Sequence, residues 1–596
     1  MTNELEGSRI LQSFFGGAAD LIANKDELNK INVFPVADGD TGSNLASLMQ
    51  TILDSSVSDS SSVENVLTNV AEAALLGARG NSGIIFAQYL NGVAAVFSQT
   101  EKNTHDFVYS LNQAVTEAYQ ALIEPKEGTI LTVMRVWAAS VHQAFHQKAS
   151  LGAALETARK NALEALRQTE FQLDVLQKNK LVDSGAKGFY IFINGFTEAF
   201  STQQERISIK RESESVKIAP AEIITEQPKY RYCTELLLKN VQIEKELLKE
   251  KLADLGDSLI LAGNQQLLKV HIHTNQPQAI LNKIAGQSEL VQQKVDDMQL
   301  QFEVTKQRKY PIAVVTDSIA DLPKAFLLEE QVHVLPMNIL VGETDYLDKL
   351  TIDNAVIRKA GAVQKLSTAQ PAIRSVDALL SFLENKYEAI LVVTVSSQLS
   401  GTYQLIKQRA TAKKLSAKKI QVIDSKLNSA GQGLLVKAII EQLKRKPDST
   451  LAELTAIIEE IQRRCFIYVA VSDITPMLRS GRIPQSLGKL AKRLRLLPIV
   501  SLNAAGNGKL SGISWSQKQS EKKILKKVNR LIKKDQLSGL AIAHADNLPE
   551  AEEMARKLGK NGQQMLDFIV ESSTAITVSA GIGSVAVAGI RKGAIE

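Results

Sequence analysis

Cysteine is scarce in this sequence, because the 596 residues include only Cys233 and Cys465. Two thiols so far apart exclude a disulfide-stapled fold. Apolar runs are short, and none approaches the ~18 residues of a membrane-spanning helix. The first residues lack the basic segment and the apolar core of a signal peptide. These absences predict a cytoplasmic protein, and a chain of this length predicts roughly three or four domains.

A strong excess of one charge is also missing, since the net charge is only +6. This balance gives no support for a nucleic-acid partner. Basic residues do cluster between Lys489 and Arg495 and again between Lys522 and Lys534. In the second cluster they interleave with apolar residues at helical spacing, which is typical of a solvated helix face. A surface that contacts an anionic membrane or an acidic partner is the alternative interpretation.

The segment 31–44 contains two aspartates separated by a single glycine. Asp38 and Asp40 are followed by Thr41, Ser43 and Asn44, small polar residues that can cap the start of a helix. Carboxylates crowded at a helix N-terminus suit Mg²⁺, and the helix N-terminus itself favours phosphate. The pattern therefore predicts a magnesium–phosphate site, with a capped turn that binds nothing as the alternative.

A calcium-binding loop is excluded for the same segment. Such a loop, with Asp38 and Asp40 as its first and third ligands, needs glycine at its sixth position and a bidentate glutamate at its twelfth. Those positions hold Ser43 and Met49.

Three further motifs follow in the first 200 residues: GARGNSG at 77–83, GTILT at 128–132 and VDSGA at 182–186. Together with FPVADGDTGSN at 34–44, they resemble the nucleotide-binding domain of the bacterial fatty-acid kinase catalytic subunit. That domain is a relative of the dihydroxyacetone kinase L subunit. The resemblance implies an N-terminal all-α helical barrel that binds ATP and Mg²⁺ where the inter-helix loops meet.

The same resemblance implies roles for individual residues. Asp38 and Asp40 would bind magnesium, and Arg79 would neutralise charge in the transition state unless its role is merely structural. The dihydroxyacetone kinase L subunit uses a third aspartate upstream, where this chain offers the neutral amide of Asn32. The implied nucleotide site comprises Asn32, Thr41, Ser43, Asn44, Gly80, Asn81, Ser82, Gly83, Thr129, Asp183, Ser184 and Gly185.

A small α/β segment is predicted next, with strands at 230–236 and 267–273. Residues two apart on a strand share a face, so His271 and His273 point the same way. With Cys233 on a plausible neighbouring strand they form a set that zinc accepts, although paired histidines on strands are often only packed. Both strands resemble the middle domain of the fatty-acid kinase catalytic subunit, which implies that Cys233, His271 and His273 hold zinc.

The last ~285 residues alternate apolar, strand-like runs with helical patterns. The runs at 312–315, 389–393, 420–423 and 540–543 predict a parallel sheet with crossover helices. Ligands of such sheets lie beyond the carboxyl ends of the strands. Polar segments that include Thr316-Asp317-Ser318 fall at those positions.

These runs and the polar segments after them resemble the DegV family of fatty-acid-binding proteins. The match covers VTDS with DLP at 315–323, STAQP at 367–371, SSQLSGTY at 396–403 and VIDS with GQG at 422–433. The resemblance implies a tunnel for an acyl chain and a head-group site for its carboxylate. The residues of that site would be Thr368 and Ser400, with Gly401 and Arg482 in the same region.

One position departs from the DegV pattern. The family carries a histidine in a glycine-rich segment near its C-terminus, and this chain has Ser579 there. If that histidine steadies the acyl phosphate or its transfer, this chain does without it.

The predicted organisation is a kinase domain at 1–200, a linker at 201–222, a middle domain at 223–305 and a DegV-like domain at 310–596. The predicted function is an ATP-dependent fatty-acid kinase that uses Mg²⁺ and Zn²⁺. The alternatives are a lipid-binding regulatory or carrier protein, and a kinase of a small hydroxylated metabolite such as dihydroxyacetone. The family resemblance also implies a homodimer, and acyl-transfer enzymes or a membrane surface are further candidate partners.

Overall fold

A computed structural model describes residues 5–34, 39–55, 60–202, 227–361, 364–479, 496–558, 563 and 565–593. Within it the chain divides into two compact units, Met1–Phe302 and Glu303–Glu596. Asp38, Arg482, the basic cluster from Lys489 to Arg495 and most of the predicted linker lie outside the described residues.

The described residues between 5 and 202 fold into α-helices, most of which share one apolar core. Side chains of Ser62, Asn103 and Ser150 cap helix starts by accepting backbone N–H groups, which explains where these helices begin. Aromatic rings fill the core, and Phe86 and Phe192 meet edge to face with centroids 5.0 Å apart. The described helices are α1 (Gly7–Ala23), α2 (Lys25–Lys30), α3 (Thr41–Asp54), α4 (Val63–Gly77), α5 (Gly80–Ser98), α6 (Thr104–Gln120), α7 (Ile130–His146), α8 (Leu151–Gln168), α9 (Asp174–Asn179) and α10 (Ser184–Ser201).

The same unit ends in a four-stranded antiparallel sheet with strand order β2-β3-β1-β4. The predicted strands at 230–236 and 267–273 are observed as β1 and β3. Strand β2 packs on α5, where the Gln88 side chain accepts the Gly263 N–H at 2.7 Å. The elements are β1 (Tyr232–Lys239), α11 (Lys245–Ala253), β2 (Gly256–Gly263), β3 (Leu267–Thr274), α12 (Pro277–Ile284), β4 (Glu289–Asp297) and α13 (Met298–Gln307).

The second unit contains three sheets in its described residues. A parallel sheet of order β11-β10-β5-β6 holds three of the predicted runs. Its strands are β5 (Ile312–Asp317), β6 (His333–Leu335), β10 (Ala389–Thr394) and β11 (Ile420–Asp424), and a small antiparallel sheet comprises β7 (Asn338–Val341), β8 (Thr344–Leu347) and β9 (Leu366–Ala369). The described helices between Lys324 and Arg464 are α14 (Lys324–Glu329), α15 (Asn354–Ala360), α16 (Ile373–Lys386), α17 (Thr402–Ala412), α18 (Ser429–Arg445) and α19 (Leu451–Arg464).

The prediction that the 540–543 run joins this parallel sheet is wrong. The run lies in a separate mixed sheet of order β14-β13-β12-β17-β15-β16, where β15 is parallel to β16 and antiparallel to β17. The apolar character of these runs indicates buried strands, but it does not indicate which neighbour each strand pairs with. The remaining elements are β12 (Cys465–Ala470), α20 (Thr475–Arg479), β13 (Leu497–Leu502), β14 (Gly508–Ser514), α21 (Gln517–Lys533), β15 (Leu537–His544), α22 (Leu548–Lys557), β16 (Leu566–Glu571), α23 (Thr574–Ala580) and β17 (Val585–Arg591).

The predicted fold class is therefore confirmed: a helical N-terminal region, a small α/β region and a C-terminal α/β region. In the part of the chain that the structure describes, no helix combines the length and the apolar character needed to cross a bilayer.

Gly42 gives a test of how α3 is held against α2. A β-carbon at Gly42 would lie 2.0 Å from the Lys25 carbonyl oxygen and 2.9 Å from Leu28 Cβ, so alanine forces the two helices apart. We expect Gly42→Ala to cost about 2–3 kcal/mol and to lower the midpoint of thermal unfolding of the full chain.

Gly152, near the start of α8, is the matched control. Its β-carbon would meet the Phe200 ring only at 3.8 Å. Gly152→Ala should keep or slightly raise the midpoint, because alanine is favoured over glycine in a helix by about 0.5–1 kcal/mol. Equal midpoints for the two variants would contradict the proposed close packing.

Candidate functional site

One cavity of the first unit gathers most of the residues predicted to bind nucleotide and metals. Its volume is about 570 Å³, including its mouth. The middle region supplies one wall and the N-terminal helices supply the other. The predicted residues that line it are Asn32, Asp40, Thr41, Asn44, Arg79, Gly80, Asn81, Ser82, Cys233, His271 and His273.

The start of α3 forms the first part of the helical wall. Asp40 occupies the N-cap position, and its carbonyl oxygen accepts the Asn44 N–H at 2.8 Å. Thr41 donates its hydroxyl to the amide oxygen of Asn32. Gly39 has a φ of +70°, a conformation that favours glycine between the two aspartates. The turn therefore brings carboxylate, amide and hydroxyl oxygens to one place at a helix N-terminus.

The start of α5 forms the second part of the helical wall. Gly80 has a φ of +59°, and a β-carbon there would lie 2.6 Å from Asn44 Nδ2, so only glycine lets the two helix starts approach. The side-chain oxygen Oδ1 of Asn81 is buried and has no hydrogen-bond partner among the described residues. An orphaned acceptor in the cavity that Asp40 also lines fits a bound cation or a hydrogen-bond donor.

The oxygen donors around Asp40 fit Mg²⁺, which prefers carboxylate and other oxygen ligands and shares them with phosphate. In this chain they belong to Asp40, Asn32 and Thr41, and the Asn81 side chain lines the same cavity. Asp38, the other predicted magnesium ligand, lies outside the described residues.

The opposite wall is one face of the middle sheet. Strand pairing places Glu235 opposite His271 on one side and opposite Lys294 on the other. The next row places Cys233 opposite His273 and Asp296. Directly opposed residues, and residues two apart on a strand, share a face of the sheet. The face thus carries two adjacent rows of polar and ionisable side chains.

Glu235 joins the two walls. It is buried, and its Oε1 accepts the Gly80 N–H at 2.6 Å, while Lys269 Nζ lies 3.5 Å from Oε2. Burial alone would raise the pKa of the Glu235 carboxyl. The Lys269 ammonium and the neighbouring His271 ring outweigh burial and hold the pKa well below its usual range. The group at the start of α5 is therefore a carboxylate at neutral pH.

Cys233, His271 and His273 form a potential metal-binding group with donor atoms within 4.8 Å of one another. Burial raises the pKa of the Cys233 thiol well above its usual value, and Glu235 raises it further. Burial lowers the pKa of His271, which keeps the ring neutral. Its Nε2 atom is buried without a hydrogen-bond partner among the described residues. One sulfur and two imidazole donors with an orphaned ring nitrogen fit Zn²⁺.

Several predicted residues stabilise helix starts instead of lining the cavity. Ser43 exchanges hydrogen bonds with the Asn29 side chain, and Ser184 donates to the Leu28 carbonyl at 2.8 Å. The Thr129 hydroxyl is occupied by the cap of α7, where it accepts from Leu131 N–H. Gly83 and Gly185 also lie outside the lining, and a β-carbon at Gly185 would lie 2.4 Å from Ser82 Oγ.

Asp183 also lies outside the cavity lining. It caps α10 by accepting the Ala186 N–H at 2.7 Å, and the Ile130 N–H at the start of α7 also contributes. Burial raises the pKa of its carboxyl to about 7, although these N–H groups act to lower it. Asp183 therefore ties the third and fourth motifs together.

The second unit holds a cavity of about 980 Å³, including its mouth. Its lining is mostly apolar, and the predicted residues Thr368 and Ser400 line it together with Ser579. Ser400 Oγ lies 2.8 Å from Thr402 Oγ1, and Ser579 donates its hydroxyl to the Ala575 carbonyl at 2.8 Å. Gly401 packs on the Gln370 side chain, where a β-carbon would lie 2.4 Å from Nε2. Arg482 is not among the described residues.

Sequence reasoning missed three charged residues of the first cavity: Glu235, Lys294 and Asp296. Glu235 lies in a predicted strand two residues after Cys233 and therefore on the same face, and that was a usable signal. Lys294 and Asp296 lie on β4, whose sequence is polar on both faces and gave no strand signal.

Three family descriptions match this chain over separate ranges. Residues 35–198 match the DAK2 domain, residues 229–305 match the middle domain of FakA-like fatty acid kinase proteins, and residues 311–592 match the DegV family. The chain is a fusion of these three domains. The DAK2 and middle domains supply the two walls of the first cavity, and the DegV domain contains the second cavity.

The sequence alignments with curated relatives cover about half of this chain. Protein YloV of Bacillus subtilis is 30% identical over 352 residues, which cover 54% of this chain and 63% of that protein. An uncharacterized protein of Staphylococcus aureus strain USA300 is 31% identical over 335 residues, which cover 52% and 59%. The match thus spans about 60% of the length of these curated relatives.

Solved structures similar to this chain cover about half of it. DegV, a fatty acid binding protein from Bacillus subtilis, is 22% identical, with a TM-score of 0.43, and the match covers 48% of this chain and 100% of that one. A fatty acid binding DegV family protein from Streptococcus agalactiae is 25% identical, with a TM-score of 0.42, and the match covers 47% and 99%.

The raised pKa of Asp183 predicts a pH-dependent stability. The folded state favours the neutral carboxyl, so the unfolded state ionises first as the pH rises from about 4 to 7. Asp183→Asn keeps a capping oxygen and cannot ionise. The free energy of unfolding of the variant minus that of the original should therefore rise by about 2–4 kcal/mol between pH 4.5 and pH 8, as measured by urea unfolding. A difference that stays constant with pH would contradict the assignment.

Proposed function

We propose that this chain is an ATP-dependent fatty-acid kinase, which transfers the γ-phosphate of MgATP to the carboxylate of a fatty acid and forms an acyl phosphate. The observation that carries the proposal is the first cavity, where two helix starts, Asp40 and the polar face of the middle sheet meet. The DAK2 domain and the FakA-like middle domain support phosphoryl transfer from ATP.

The helix starts provide the phosphate-binding groups. Backbone N–H groups at the beginnings of α3 and α5 are directed out of each helix and favour anions. Glu235 already accepts the Gly80 N–H and Asn29 accepts the Ser43 N–H, so phosphate would take other N–H groups of the two helix starts. Asp40, with Asn32 and Thr41, would hold Mg²⁺, which neutralises phosphate charge when it is bound. Arg79 lines the same cavity and adds a positive charge for the phosphoryl oxygens.

The acceptor needs no general base. A fatty-acid carboxylate is ionised at pH 7, because its pKa is near that of a side-chain carboxyl at about 4. It is already a nucleophile, so the protein has to position the two reactants and balance the charge that develops on the phosphoryl group. A cavity whose described lining consists largely of polar and charged residues is consistent with this requirement.

The second cavity supports a fatty acid as the acceptor. Its apolar lining suits an acyl chain, and Thr368 and Ser400 offer hydroxyl donors for the carboxylate. The match to the DegV family supports lipid binding by this unit.

Ser579 favours a second candidate function, a lipid-binding carrier without kinase turnover. It occupies the position at which the resemblance to DegV proteins predicts a histidine, and its hydroxyl already donates to the Ala575 carbonyl. The carrier would keep the lipid cavity and lack the group that steadies an acyl phosphate.

Acyl phosphate formation is the deciding measurement. The full chain, with labelled MgATP, oleate and hydroxylamine, should yield oleoyl hydroxamate. Asp40→Asn should lower the yield at least about 100-fold, because it removes one carboxylate ligand of the magnesium. Asp54→Asn, on the exposed end of α3, is the matched control and should keep the activity.

Bound oleate without hydroxamate in the original chain would reject the kinase and support the carrier, and Ser579→His would then test the cause. Hydroxamate that survives Asp40→Asn would reject the assignment of the first cavity. Transfer to dihydroxyacetone instead of oleate would support a kinase of small metabolites.

Zinc content tests the metal assignment independently of activity. Cys233→Ser removes the sulfur donor and should reduce zinc in the purified full chain to a small fraction, as measured by elemental analysis. Cys465→Ser is the control, because Cys465 lies in the other unit and contacts the Gly431 carbonyl. Equal zinc in the two variants would exclude Cys233 as a ligand.

A further inference from the structure

Lys294 is a charged side chain of the first cavity that neither predicted metal site explains. It lies on β4, directly opposite Glu235 on β1, and on the same face of the sheet as Cys233. It lines the cavity together with Asp40 and the residues at the start of α5. Lysine is an unusual choice for such an interior position, because burying an ammonium costs free energy unless a partner offsets it.

The charges around Lys294 differ from those around its neighbour Lys269. Lys269 is only 3% exposed and lies against the Glu235 carboxylate, so its charge is matched inside the wall. Lys294 keeps 24% of its side-chain surface exposed, and its Nζ lies 2.5 Å from Asp296 Oδ2. Because Asp296 also lines the cavity, the ion pair lies at the cavity surface and is accessible to a ligand.

The helical wall indicates which ligand the Lys294 ammonium could bind. Asp40 would hold a metal on one side of a triphosphate, and the N–H groups of two helix starts would bind other phosphate oxygens. During transfer, negative charge spreads over three oxygens of the γ-phosphoryl group. A cation on the middle-domain wall would face oxygens that the helical wall does not cover.

We propose that Lys294 is a further catalytic residue, whose ammonium binds the γ-phosphoryl group of ATP while Asp296 positions it. This inference rests on the proposed function. The bond between the γ-phosphorus and the β,γ-bridging oxygen breaks, and a bond between the carboxylate oxygen and that phosphorus forms. ADP leaves with the bridging oxygen, and Lys294 stays protonated throughout, so no proton is transferred.

A purely structural role is the competing interpretation, since Lys294 also offsets the charges of Glu235 and Asp296. The two roles differ in a nucleotide comparison. A residue that binds the γ-phosphoryl group discriminates a triphosphate from a diphosphate. A residue that only stabilises the sheet affects both nucleotides equally, through the fraction of folded protein.

The test measures binding of the magnesium complexes of AMP-PNP and ADP to the full chain by calorimetry. Lys294→Ala should weaken AMP-PNP binding by about tenfold to a hundredfold and change ADP binding less than about twofold. Lys294→Arg should recover most of the affinity, because it keeps the charge. Lys239→Ala, at the exposed end of β1, is the control and should leave both affinities unchanged.

Equal losses for both nucleotides, or no loss for either, would overturn the proposal. If Lys294→Ala lowers the thermal unfolding midpoint, the comparison is made with Lys294→Gln instead, because the glutamine amide fills the space without a charge. In turnover, kcat for hydroxamate formation should fall more than the KM for oleate changes. Absence of acyl phosphate in the original chain would reject the proposed function alone, because the nucleotide comparison does not require turnover.

Discussion

A carboxylate buried between two domains organises the first unit. Glu235 accepts the Gly80 N–H at 2.6 Å, and it is ionised because Lys269 and His271 outweigh the cost of burial. Lys269 and His271 belong to the same sheet, so the contact with α5 is the Gly80 N–H. A buried acceptor that loses its donor costs about 1–3 kcal/mol, and this hydrogen bond therefore helps to hold the middle sheet to the start of α5. The distance between the cavity walls, and hence the space available to a triphosphate, follows from this contact.

The two walls carry different chemistry. The helical wall offers oxygen ligands and backbone N–H groups, which suit a metal ion and phosphate. The sheet wall offers a sulfur, two imidazoles and a lysine, whose register is set by the pairing of β1 with β3 and β4. A strand slip of one residue would turn all of these side chains to the other face. The sheet wall therefore depends on strand pairing as strictly as the helical wall depends on glycines at helix starts.

How far the sequence predicts this site varies with the kind of signal. The helix starts are predictable because Asp40 and Gly80 lie in short motifs of acidic, glycine and small polar residues. The two histidines are predictable because they share a face of an apolar strand. The position of Lys294 is not predictable, because the β4 sequence carries polar residues on both faces. Lys294 is placed in the cavity wall only by the pairing of β4 with β1. In the second unit, the parallel strands were predicted correctly, but the partner of β15 depends on contacts between distant residues.

The contact between Glu235 and Gly80 also bears on how such chains can arise. A gene fusion or an exchange that joined this middle domain to a foreign DAK2 domain would take away the Gly80 N–H that the buried Glu235 carboxylate accepts. It would also remove the Gln88 acceptor from the Gly263 N–H. The two domains are thus expected to be inherited together as one evolutionary module. The DegV domain forms a compact unit of its own, which makes it the more exchangeable part of the fusion.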